Sequence, residues 1–166
     1  MTSPILVAYA SKHGSTREVA VAIADSLRSR GFDVELEEAA DVRDVSGYSG
    51  VVVGGALYTG RWHRDAIGLL RRHRGQLGTV PVAVFGMGPK TDSPGDLDGA
   101  RRQVEHALAK VPDVRPLAVG VFGGVVDPTK LRFPFSRLPA SDARDWDAIR
   151  RWADEVGAAL AVDRAA

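Results

Sequence analysis

The spacing of apolar positions changes repeatedly along the chain. Ile5 to Ala10 is an unbroken apolar run, the pattern of a parallel strand buried on both faces. From Ser15 to Arg30 the period lengthens, and Val19, Ala20, Ile23, Ala24 and Leu27 fall on one helical face. Ser15 and Glu18 have the spacing of a capping box, and Gly31 stands where a helix should stop. Phe32 to Leu36 alternates like a strand, and the neighbouring Glu35, Glu37 and Glu38 suggest a sheet edge. The polar stretch 41–49 separates it from Val51, Val52 and Val53, the strongest β signal present.

A second helix is expected over His63 to Arg74, with Ala66, Ile67 and Leu70 inward, followed by a buried strand over Val80 to Phe85. Ala100 to Val111 reads as a third helix and Pro116 to Phe122 as a fifth strand. Ser141 is the expected cap of a last helix whose Trp146, Ile149, Ala153, Val156 and Leu160 recur three and four apart. Strands that alternate with helices predict an α/β fold, a five-stranded parallel sheet covered on both faces. No composition break or repeat divides residues 1–166, so one domain is expected. Ligands of such sheets bind beyond the carboxyl ends of the strands, where strand order reverses.

Charge and composition narrow the function. The 22 Lys and Arg nearly balance 21 Asp and Glu, which speaks against nucleic acid as a partner. The absence of cysteine excludes thiol chemistry, disulfides and cysteine-held metal clusters. No HExxH string or three-ligand spacing suggests a metal. No apolar run approaches the roughly 20 residues a bilayer span needs, and the start resembles no secretory signal, so a cytoplasmic protein is expected.

Three loops follow the expected strands 1, 3 and 4. The first, Ser11-Lys12-His13-Gly14-Ser15-Thr16, joins a buried strand to a helix and has three hydroxyls, a glycine and a basic pair. A bare cap needs only one such hydroxyl; the set suits a phosphate held by backbone amides and side-chain donors. It is neither the GxxxxGK[ST] nor the GxGxxG motif, and the acidic cluster of a receiver domain is missing, which points to a mononucleotide. The second loop, Ala56-Leu57-Tyr58-Thr59-Gly60-Arg61-Trp62, has small residues for close approach and either Tyr58 or Trp62 to cover a flat ring or, on the plainer reading, a Trp62 packed against the next helix and a Tyr58 simply exposed. In the third, Gly86-Met87-Gly88-Pro89, backbone groups are candidates for a ring's polar edge.

Residues 123–139 carry Lys130, Arg132 and Arg137 interleaved with Leu131, Phe133, Phe135 and Leu138 among three prolines. Two readings stand: a basic and apolar frame that steers an anionic aromatic substrate or meets a membrane edge, and plain packing with both phenylalanines against the last helix. His63 is a candidate proton donor, or a simple helix cap.

With these loops in place the chain resembles the flavodoxin-like family from Ile5 to about Leu160. The resemblance implies strand order 2-1-3-4-5, with FMN held by its phosphate in the first loop and its ring between the other two. Within that family the chain looks most like the bacterial menaquinone-dependent protoporphyrinogen dehydrogenases. The likeness lies in Thr16-Arg17-Glu18, the Gly60 to His63 stretch, and Gly123-Gly124 before a basic, aromatic segment. It implies an FMN-dependent oxidoreductase or electron carrier whose donor is a porphyrinogen and whose acceptor is a quinone. A deazaflavin with a similar phosphate-bearing side chain, and a non-enzymatic flavin-binding or regulatory module, are the alternatives left open.

Overall fold

A computed structural model describes residues 3–11, 13–89, 91 and 93–165, with the backbone alone for Phe135, Arg164 and Ala165. Strands β1 (Ile5–Ala10), β2 (Val34–Glu38) and β3 (Gly50–Tyr58) come first, with helix α1 (Ser15–Ser29) between β1 and β2. After β3 the chain folds back as the short β4 (Arg61–Trp62) and enters α2 (Arg64–Arg72) and α3 (Arg74–Leu77). Next come β5 (Val82–Met87), α4 (Pro94–Leu108) and β6 (Ala118–Phe122), then the small strands β7 (Val125–Val126) and β8 (Ser141–Asp142), and finally α5 (Trp146–Ala165).

Strands β2-β1-β3-β5-β6 lie side by side in that order, and every neighbouring pair is parallel. With the hairpin strand β4 set aside, this is the expected order 2-1-3-4-5. β1 is buried throughout because its alternate residues serve two cores. Ile5, Val7 and Tyr9 pack towards Val19, Ile23, Leu27, Ile149 and Val156 of α1 and α5. Leu6, Ala8 and Ala10 pack towards Ala66, Leu69, Leu70 and Val104 of α2 and α4. The glutamates of β2 lie on the sheet edge, as their pattern suggests. Since β2 and β3 flank β1 on opposite sides, the chain reverses its direction of progress at β1, and the loops after β1 and β3 open at the same end of the sheet.

Three local readings are corrected. The capping box at α1 does not form: Gly14, in the left-handed region at φ 91°, precedes the first turn, and the Glu18 carboxylate goes to Arg144 instead. Helix α4 starts at Pro94, six residues before the expected start, because Ser93 accepts from the Asp96 amide and Pro94 fits the first turn. Ser141 caps nothing. It pairs in β8 with Val126, and the Asp145 carboxylate accepts from the Ala148 amide at the start of α5.

Candidate functional site

The Gly14 amide donates to Ser11 Oγ at 2.9 Å and closes the first loop. The turn delivers the chain into α1, whose first helical bond runs from the Glu18 amide to the Gly14 carbonyl. The preceding amides of the first turn have no helical acceptor, and the helix dipole adds positive potential at that end. Within the same turn Thr16 is 0% exposed, and its Oγ1 has no hydrogen-bond partner among the described residues. A buried hydroxyl left unpaired typically costs about 1–3 kcal/mol, so it marks a place where a ligand oxygen is wanted. Lys12 lies outside the described residues.

The second loop is a two-residue hairpin. Leu57 pairs with Trp62 and Tyr58 with Arg61, leaving Thr59 and Gly60 at the turn with φ of 48° and 78°. Such turns need positive φ at both central positions, which is natural for Gly60 and strained for a β-branched Thr59. Tyr58 is 38% exposed and meets the His13 ring edge-on, with centroids 6.2 Å apart, so the hairpin touches the first loop. Partial burial raises the Tyr58 phenol above its ordinary pKa.

Trp62 does something other than the expected ring cover. It is only 4% exposed, and its indole N–H donates to the Phe85 carbonyl at 3.1 Å, so it props the hairpin from below. Ala56 and Leu57 are half-buried beside it. In the third loop Gly86 and Met87 belong to the buried end of β5. The Gly88 amide donates to the Phe122 carbonyl and the Pro89 carbonyl accepts from Gly124, so these two groups serve the neighbouring strand end and not a ligand edge. A Cβ at Gly88 would lie 2.8 Å from that of Leu57, which is why the second and third loops can approach so closely.

Between these loops lies a cleft of about 400 Å³, within the range of small-ligand sites. Leu57, Thr59, Gly60, Gly88 and Pro89 form one side, and Gly95, Asp96, Gly99, Ala100 and Gln103 of α4 form the other. The α4 side was not anticipated. Ser93-Pro94 followed by Asp96 is a helix-start signal that could have revealed it, but Gly95 and Gly99 hide it by lowering helix propensity. His63 acts as the cap of α2, its Nδ1 accepting from the Asp65 amide at 3.0 Å.

Segment 123–139 packs back on the site. A Cβ on Gly123 would lie 2.1 Å from the Ala143 carbonyl oxygen, so this glycine allows two backbones to touch. Lys130 Nζ donates to the His13 carbonyl at 3.2 Å, joining the segment to the first loop. Arg132 is exposed, and Arg137 lies over the Phe133 ring at 5.1 Å. Phe133 is 72% exposed, which overturns the reading of it as a plug against the last helix; the side chain of Phe135 lies outside the described residues.

The strand ends carry an anion-seeking helix end with a buried hydroxyl at the first loop, and a cleft between the second and third loops and α4, the parts a phosphate-bearing planar ligand requires. Comparison with solved structures shows the fold. The fold is shared with rubredoxin oxygen:oxidoreductase from the anaerobe Desulfovibrio gigas (TM-score 0.64, 19% identity over 99% of this chain), of whose length this chain spans 38%. It is shared also with a mutant form of flavodoxin from Pseudomonas aeruginosa (TM-score 0.61, 21% identity, 95% of this chain and 98% of that one). A flavodoxin from the domain Archaea gives a TM-score of 0.62 at 13% identity, covering 95% of this chain and 98% of that one. No curated protein matches the sequence. A family model described as flavodoxin domain matches residues 6–137, most of the chain and all three loops, and on that match the chain belongs to the flavodoxin domain family, whose cofactor is FMN.

Proposed function

We propose that this chain is an FMN-dependent electron-transfer protein or oxidoreductase, with its cofactor across the first loop and the cleft. The observation that carries the reading is Thr16: a fully buried hydroxyl, without a partner among the described residues, in the first turn of a helix that starts at the switch point of the sheet. A phosphate there pairs that hydroxyl and takes the orphan amides of α1.

Bound FMN would supply the exchange of electrons. The residues contribute placement. Ser11 holds the phosphate loop in shape, Thr16 and the first turn of α1 take the phosphate, and the Tyr58–Arg61 hairpin with Gly88, Pro89 and α4 flanks the ring. Tyr58, next to His13, sits where the hairpin meets the first loop and limits the access of water to the ligand.

The finer reading names the partners: a porphyrinogen as donor and a quinone as acceptor. It is supported by the resemblance and by the exposed Phe133 with Arg137 stacked on it, a surface that suits a flat anionic molecule. None of the solved structures named above carries that substrate in its name. No helix among the described residues is long and apolar enough to cross a membrane.

The test is direct. Purified protein should hold one FMN per chain, and the flavin, once reduced chemically, should be reoxidised by quinone or a protein acceptor faster than free FMN is. A protein that takes up no FMN refutes the reading. One that binds FMN but passes electrons to no acceptor is a flavin-binding module and not a carrier.

A further inference from the structure

We propose that Lys130 makes the site selective for phosphorylated over unphosphorylated flavin, by adding a fixed positive charge to the first loop from a distant segment. The inference rests on the FMN reading above and adds a residue to it that lies outside the three loops.

The position of Lys130 is built by local chemistry. The Asp127 carboxylate accepts from the Thr129 amide at 3.1 Å and its hydroxyl at 2.6 Å, which fixes the short 3-10 turn Pro128–Lys130. The segment is fastened at both ends. The Gly124 amide donates to Pro89, β7 pairs with β8, and Arg144 binds Asp142 through two nitrogens and Glu18 at 2.8 Å. Arg144 is only 10% exposed in its side chain and stacks on Trp146, so this end is a firm anchor on α1. Between the anchors, the Lys130 ammonium reaches the His13 carbonyl.

That bond uses one of three ammonium donors. The remaining donors lie beside the loop whose Thr16 hydroxyl is buried without a partner. Charge points the same way. Residues 128–141, between Asp127 and Asp142, contain Lys130, Arg132 and Arg137 and no acid. The Asp127 carboxylate, held ionised by its hydrogen bonds from Thr129 and by the nearby Lys130, offsets part of that charge. A phosphate group gains from a cation at this place, and the neutral hydroxyl of riboflavin does not.

The experiment titrates apoprotein with FMN and with riboflavin, following the quenching of flavin fluorescence at low and high salt, for wild type, Lys130→Met and Lys130→Arg. Lys130→Met should lower the preference for FMN about fivefold to tenfold while riboflavin binding stays within about twofold. The salt dependence of FMN binding should shrink with it, and Lys130→Arg should restore most of the preference. Equal weakening of both flavins would reduce Lys130 to a structural tie on His13 and overturn the inference, as would an unchanged preference. If wild type binds neither flavin, the functional reading fails and the inference falls with it; FMN binding with an unchanged preference in Lys130→Met removes the inference alone.

Discussion

Phe85 lies so close across Gly54 that a Cβ at position 54 would sit 1.9 Å from its Cζ. The two residues are register partners on β3 and β5, and Phe85 is fully buried among Phe122 and Trp152 at ring distances of 6.1 and 5.8 Å. Gly54→Ala should destabilise the protein by about 1–3 kcal/mol, read as a lower urea midpoint with an unchanged slope. Adding Phe85→Leu should return part of the loss, since the clash is with the ring. Additive effects of the two changes would show that Gly54 is needed for another reason.

The hairpin offers a change in the opposite direction. Thr59 adopts φ 48°, a conformation that costs an L-residue with a branched Cβ roughly 1–2 kcal/mol. Thr59→Gly should therefore leave stability equal or raise it by up to about 1 kcal/mol, part of the gain being offset by the freedom glycine has when unfolded. Thermal unfolding checks it; a marked fall in Tm would mean that the threonine side chain makes a contact worth more than the strain.

Much of this organisation is legible in the sequence, and the limits have physical causes. Strand runs such as Ile5 to Ala10 and Val51 to Val53 are read from residue type because both faces of the sheet are covered. The first loop is read from its unusual density of hydroxyls. Trp62 misleads because an aromatic in a loop has the same appearance whether it faces a ligand or, as here, fills the space beneath a hairpin. Helix α4 begins early because its cap and first-turn proline outweigh two glycines. The tie between Lys130 and His13 spans 117 positions, and no local pattern encodes it.

Arg144 makes stability depend on acid. Its hydrogen bonds hold the Asp142 carboxyl below the usual range. A carboxyl depressed in the folded state stabilises above its unfolded pKa, and that contribution is lost as pH falls through the folded value. Arg144→Ala should cost about 1–3 kcal/mol near neutrality, because it also frees Glu18. The gap between variant and wild type should narrow as pH is lowered below the ordinary carboxylate range. A gap that stays constant in acid would assign the loss to the stacking of Arg144 on Trp146.

At the alkaline end, burial and a hydrogen bond to Glu35 push the Tyr48 phenol up to about 12. The neutral phenol is the form favoured by the fold, so this contribution is complete below the ordinary value of 10.0 and is lost as pH rises from there towards 12. Ultraviolet titration should show a step near 12 that is absent in Tyr48→Phe. A late step that persists in the variant would belong to another tyrosine.

The most direct test of the account is titration of apoprotein with FMN for wild type and Thr16→Val, alongside unfolding of both apoproteins. Valine keeps the branched shape of threonine and puts a methyl group in place of the hydroxyl. If that hydroxyl waits for a phosphate, its removal should leave the apoprotein as stable or more so, since a buried unpaired polar atom has gone. The same change should weaken FMN binding about tenfold or more, with riboflavin much less affected. An undiminished affinity for FMN in Thr16→Val would contradict the account, because the phosphate would then lie elsewhere.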